Sequence, residues 1–222
     1  MLQTDGHSEL INVVVTQCQA ASECGGVGTT GDAIEMRMTD CRISDCVAMA
    51  TKSGGVGARA GTVIATRVRI SRCHAYGQLG GGVHMDISTT LWTNCTIEDC
   101  NAAFDGGVSI GGGTHTFVDS QILRCKAVGG VTSGDYAGVA VRGGTTTFLR
   151  SVVADCHATH SGGGLGIDGG VLILRETTIS GCTATDKGSA LFFASGEFAA
   201  ELLTLTPQCP PVQAPLIYTA MG

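Results

Sequence analysis

Apolar and polar positions along this chain keep a fixed frame that returns every 25–31 residues. Its clearest copy is FLRSVVADCHATHSGGGLGI, from Phe148 to Ile167. Taking the cysteine as position 0, the successive copies carry Cys18, Cys46, Cys73, Cys100, Cys125, Cys156, Cys182 and Cys209. Position −3 reads Val15, Ile43, Ile70, Ile97, Ile122, Val153, Ile179 and Thr206. Position +2 is alanine from Ala20 to Ala184 and fails only at Pro211. Position −5 holds short side chains, among them Cys41, Val68, Cys95, Ser120, Ser151 and Thr177. Position −8 holds larger ones, including Leu10, Met38, Trp92, Phe117, Phe148 and Leu174.

Side chains alternate faces along a strand, so −5 and −3 share a face, as do 0 and +2. The odd offset between −3 and 0 breaks that parity and requires a corner between them. A second corner follows between −8 and −5 by the same rule. After a variable loop, a glycine pair leads into another alternating run, as in Val83, Met85 and Ile87 or Leu165 and Ile167. A further glycine-rich turn is expected at Gly111–Gly113, Gly143–Gly144 and Gly169–Gly170. No stretch has helical periodicity. The chain reads as all-β.

Three short strands cannot bury an apolar face alone, but stacked copies pair each strand with its equivalent one coil away. Parallel crossovers are overwhelmingly right-handed. The frame therefore predicts a right-handed parallel β-helix of about seven coils over residues 1–206, with a proline-rich tail or the start of a following segment at 207–222. The interval from Cys125 to Cys156 is the longest, 31 residues, and its surplus falls in Lys126–Ala137, predicted to project as a loop.

Polar positions support the same stacking. Position −1 reads Asp45, Arg72, Asp99, Arg124 and Asp155 over five coils, and position −6 nearly repeats the alternation with Asp40, Arg67, Asn94, Asp119 and Arg150. Stacked in register, opposite charges become neighbours and resist a slip of one coil against the next.

Composition narrows the function classes. Charged residues make up 14% and hydrophobic ones 43%, which is too apolar for disorder. The net charge of −6 and the scatter of basic residues exclude a nucleic-acid binder. No apolar run reaches the roughly 18 residues needed to cross a bilayer, and the opening MLQTDGHSEL has no signal-peptide pattern. Eight of eleven cysteines fall at one apolar-flanked position, so they read as a buried column of free thiols and leave the compartment open.

An apolar-x-x-Ser/Asn motif, present as Phe117-Val-Asp-Ser120, Phe148-Leu-Arg-Ser151 and Leu91-Trp-Thr-Asn94, alternates with a glycine-glycine-aliphatic motif at Gly106–Val108 and Gly163–Leu165. This pairing resembles the FxxN and GGA-[ILV] repeats of chlamydial polymorphic outer membrane proteins, over residues of about 8–206. The resemblance implies a surface-displayed or extracellular passenger acting in adhesion.

Residues able to carry chemistry are few and scattered. Pectate lyases and polygalacturonases share the expected fold, and need clustered carboxylates. Asp86 and Asp168 lie three coils apart, about 14 Å, beyond the roughly 5–9.5 Å of a glycosidase pair. Asp86 and Asp105 sit in neighbouring coils and are the pair that can converge. His74 and His157 face outward three coils apart, and His157 with His160 lacks a third ligand. Gly163–Asp168 matches the calcium nonapeptide GGxGxD only once. Thr-x-Thr recurs in two coils, at Thr114/Thr116 and Thr145/Thr147, too few rungs for an ice-matching array. Cys24, beside a glycine pair, is the expected exposed thiol, and parity splits Asp155, Cys156 and His157 between two faces.

The expectation is a non-catalytic scaffold without cofactor or metal, recognising carbohydrate or a cell-surface protein and making end-to-end contact with further coils. The alternatives are a polysaccharide lyase or glycoside hydrolase on the same fold, and a fragment without independent function.

Overall fold

The computed structural model describes residues 6–206 and 217–219, except 22, 51, 78 and 130–134. Among these residues there is no helix, and every strand pairing is parallel, forming a solenoid of about seven turns. Three sheets run its length. The long sheet includes Val56–Thr66, Val83–Thr93, Val108–Val118, Leu165–Arg175 and Leu191–Glu201, each 11 residues. The second sheet takes three residues per coil, from Val14–Thr16 to Thr204–Thr206, and the third takes two, from Gln19–Ala20 to Thr183–Ala184.

Burial follows the parity argument. Positions −3, 0 and +2 are buried through the middle coils, as with Ile97, Cys100 and Ala102. Inside, Trp92, Phe117 and Phe148 stack with ring centroids 6.0 and 4.6 Å apart. Trp92 pairs with Ala65 in the preceding coil, so the largest ring lies over one of the smallest side chains.

Position −5 explains why Ser, Thr and Cys occupy it. The Ser120 hydroxyl accepts from the Cys95 amide (3.1 Å) and donates toward the Val118 carbonyl (2.9 Å). The Ser151 hydroxyl accepts from the Ser120 amide in the same way (3.1 Å). A short polar side chain at this corner therefore ties one coil to the next, where a hydrocarbon would leave a buried amide without a partner.

Both corners are left-handed. Position −6 and position −1 hold positive φ in coil after coil, including Asp40 (55°), Asp45 (57°), Arg67 (52°), Arg72 (52°), Asp119 (51°), Arg124 (52°) and Asp155 (56°). The corner amide stays in the intercoil ladder, as Asp45 N–H donates to Ser71 O (3.1 Å) and Arg72 N–H to Glu98 O (3.1 Å). Asn and Asp visit this region more readily than arginine does. The charged columns are thus corner residues, a role their sequence does not announce.

Two expectations are corrected. The glycine-rich stretches are bends within continuous strands in most coils, since pairing runs through Ile87 with Gly112 and Ser88 with Gly113. The coil of Val27–Thr29 and Glu35–Thr39 and the coil of Val139–Val141 and Thr145–Leu149 break there. The last copy of the frame is also displaced: Ile179 pairs with Leu205, not with Thr206, so Cys209 is counted one residue out of register. Cys209 itself lies outside the described residues. Within the segment expected as a tail, Ile217–Thr219 pairs in parallel with Leu191–Phe193.

Candidate functional site

The outer face of the long sheet is where polar side chains are buried. Its strands place alternate residues inward, so Val83 and Met85 enter the core and His84 points away from it. The register aligns His84, Ser109, Ala140 and Gly166 in one outward column. Loops preceding the glycine pairs fold over this column and seal it.

Of the stretch expected as a projecting loop, Lys126–Ala127 is a strand, 130–134 lie outside the described residues, and the buried Tyr136 makes the cover. Tyr136 bridges Asp105 in parallel, and its ring lies across Gly166. A Cβ on Gly166 would stand 2.1 Å from that ring, so only glycine admits it. The Arg142 guanidinium lies 5.3 Å from the ring centroid on another side, and Phe192 approaches at 5.8 Å. Tyr136 is therefore held by a cation–π contact and by apolar packing.

Beneath it, Asp105 has no solvent exposure and receives both Arg142 Nη groups, with Nη2–Oδ1 at 2.8 Å. Burial raises the Asp105 carboxyl, while Arg142 and the Ser109 hydroxyl pull it down. Burial lowers the Arg142 pKa, and Asp105 outweighs it, so the guanidinium is held charged. Next to Asp105 stands Asp135, also without exposure. Among the described residues neither of its oxygens has a hydrogen-bond partner, and His160 Nδ1 is 3.5 Å away. Burial pushes the Asp135 carboxyl up to about 6, His160 lowers it, and Asp105 adds a further rise.

A second cluster occupies the neighbouring coils. Lys52 Nζ lies 2.7 Å from Asp86 Oδ2, and His84 Nε2 lies 3.2 Å from Asp86 Oδ1 without hydrogen-bond alignment. His84, then Lys52, hold the Asp86 carboxyl well below its usual range. Beside them is a cavity of about 30 Å³ lined by Cys24, Lys52, Gly57 and His84.

These contacts settle the placement of the expected site residues. Asp86 and Asp105 do not form an acid pair, because each carboxylate is taken by its own cation. Asp135 is the acid that joins Asp105, and its distance in the frame hid it. Asp168 is exposed at the rim, three coils from Asp86 along the sheet. His157 bonds Thr183 Oγ1 (2.7 Å) and His160 turns to Asp135, so the two histidines serve different partners. Among the described residues no group of three His, Cys, Asp or Glu side chains fits a metal ion.

The ten described cysteines of the frame and loops are unpaired, and eight are buried. Cys24 is a correction: it is half-buried, its thiol donates to Val27 O (2.9 Å), and burial pushes its pKa up to about 11. The charge ladder resolves into discrete pairs. Arg72 grips Asp45 at 2.7 and 2.8 Å, and Arg124 grips Asp99 at 2.9 and 2.9 Å. Arg72 and Asp99 make no hydrogen bond with each other, and Asp155 has no ion pair among the described residues.

Sequence reasoning missed Asp135, Tyr136 and Arg142. The one signal pointing to them is the long interval that contains the insertion. Fold and site together define a parallel β-solenoid with a sealed, charge-compensated cluster under an inserted loop. No family model matches the chain, and no curated protein and no solved structure matches it either.

Proposed function

We propose that this chain is a non-catalytic recognition scaffold of a larger surface or extracellular protein, binding carbohydrate or a cell-surface protein. The observation that carries this reading is the burial of Asp105 and Asp135 with no exposure, the first clamped by Arg142. A general acid or base must come within hydrogen-bond reach of its substrate, and neither carboxylate has any exposure. Asp86, on the same face, is neutralised by Lys52 and held far below the range useful to a general base, and Asp168 stands at the exposed rim three coils away. The resemblance to polymorphic outer membrane protein repeats supports an adhesive role. A glycan-array screen run with a cleavage assay on uronic-acid polymers tests this: binding without cleavage is expected.

One observation favours a second reading, a polysaccharide lyase or hydrolase on the same fold. Asp135, raised to about 6 beside Asp105, is the kind of carboxyl that acid–base enzymes use. Cleavage of any polysaccharide that Asp135→Asn abolishes would establish this reading and remove the first.

A further inference from the structure

The second leg of each long-sheet coil presents a face that the sequence frame underestimates. In four successive coils the outward positions are Thr62, Ile64 and Thr66; Thr89, Leu91 and Thr93; Thr114, Thr116 and Val118; Thr145, Thr147 and Leu149. The intervening residues point inward: Val63 and Ala65, Thr90 and Trp92, His115 and Phe117, Thr146 and Phe148 are all buried. Of the twelve outward residues eight are threonine, four are aliphatic and none is charged or aromatic. Thr62, Thr89, Thr114 and Thr145 form one unbroken column, paired in register without a shift. Among the described residues no protein group hydrogen-bonds any of the eight threonine hydroxyls.

The face is bounded. Glu35 and Arg37 close one end; at the other the face runs on through Val171 and Ile173 with Arg175 at its edge, while the charged corner of Asp40, Arg67, Asp119 and Arg150 runs along one side.

The geometry points to crystalline water: we propose that this threonine face binds ice. Methyl and hydroxyl groups repeat at about 4.8 Å between coils and roughly 6.7 Å along each strand, a two-dimensional lattice that only a periodic ligand can match. Methyls order the water over them and unengaged hydroxyls anchor it. Other occupants fit less well. The patch covers about 300 Å², by four strands and five residues of strand spacing, against about 800 Å² per partner in a stable protein interface. Sugar rings stack on exposed aromatics, and Trp92, Phe117 and Phe148 all point inward here. This inference concerns a different face from the sealed Asp105 cluster and does not depend on its role.

The test freezes the full chain slowly and measures its partition into ice, with crystal shape and recrystallisation read in parallel. Wild type is expected to enter ice above the level of an inert protein of similar size. Thr114→Arg and, separately, Thr89→Arg are expected to lose this, because a flexible charge stands in the centre of the lattice. Gln121→Arg, the same kind of change on the second sheet, should partition as wild type does. Circular dichroism and gel filtration show that each variant keeps its fold. Exclusion of folded wild type from ice overturns the proposal. So does a dimer that Thr114→Arg splits, or binding to crystalline cellulose or chitin that Thr114→Arg removes, if either comes without entry into ice.

Discussion

Arg124 reaches back one coil to hold Asp99 through two hydrogen bonds of 2.9 Å, and both residues are left-handed, with φ of 52° and 53°. The same guanidinium reaches the buried Glu98 at 2.8 Å, which Arg69 also contacts. A left-handed backbone costs a non-glycine residue roughly 1–2 kcal/mol, while an exposed ion pair contributes about 0.2–1 kcal/mol. The two terms nearly offset at this corner. The ion pairs fix the register of the coils more than they add stability.

That balance separates two substitutions at one position. Arg124→Gly loses its pairs to Asp99 and Glu98 and relieves the backbone, and Arg69 still holds Glu98, so the variant should remain within about 1 kcal/mol of wild type. Arg124→Val loses the same ion pair and keeps a β-branched residue at positive φ, so it should be about 1–2 kcal/mol less stable than the glycine variant. Urea midpoints of the two variants read this directly. Equal midpoints would show that the corner stores no strain.

The periodic part of the fold was legible because a solenoid repeats its chemistry. Cys, Ile and Ala recur at fixed offsets wherever coils stack, and the parity break between Ile97 and Cys100 already implies a corner. The conformation of that corner was not legible, since arginine at Arg72 and Arg124 gives none of the usual Asn or Gly signal for positive φ. The candidate site was hidden for a different reason. Asp105 lies in one coil and Asp135 with Arg142 in the next, at spacings that match no frame position, and stacking of the two coils brings them together. The threonine face was half visible: Thr114 and Thr116 stood out as a motif, while Thr62 and Thr89 joined them only when the strands were aligned.

Tyr136 and Gly166 are coupled by shape. A methyl at residue 166 would sit 2.1–2.4 Å from three ring atoms of Tyr136, so Gly166→Ala must displace the ring. The expected cost is about 1–3 kcal/mol, typical of overpacking. In a Tyr136→Ala background the same substitution should cost little, because the obstructing ring is gone. A double-mutant cycle on denaturant midpoints measures the coupling; additive costs would mean that the ring does not occupy the place described.

Arg142 is the only cation bonded to Asp105 among the described residues. Truncating it to Arg142→Met leaves a buried carboxylate without its partner, a change that typically costs about 3–5 kcal/mol. Asp105→Asn combined with Arg142→Met removes both charges and should recover a large part of that loss. Thermal unfolding of the two variants and wild type gives the order. If the double variant is no more stable than Arg142→Met, the pair does not hold the cover in place.

Asp135 gives the cluster a pH dependence of definite sign. Its carboxyl is raised by burial from an ordinary 3.8 to about 6, with no hydrogen bond to either oxygen among the described residues. Between those two values the folded chain holds a proton that the unfolded chain has released, so stability falls as pH rises through this window and levels off above it. Asp86 acts in the opposite sense: His84 and Lys52 depress its carboxyl, and its contribution is lost as pH falls. Both carboxyls titrate in wild type, so the difference between wild type and Asp135→Asn isolates the former. The substituted amide cannot ionise, and the variant should gain on wild type steadily from about pH 4 to about pH 7, then run parallel to it. Urea midpoints across that range provide the comparison. A constant difference, or one that narrows with rising pH, would mean that the Asp135 proton is not held by the fold.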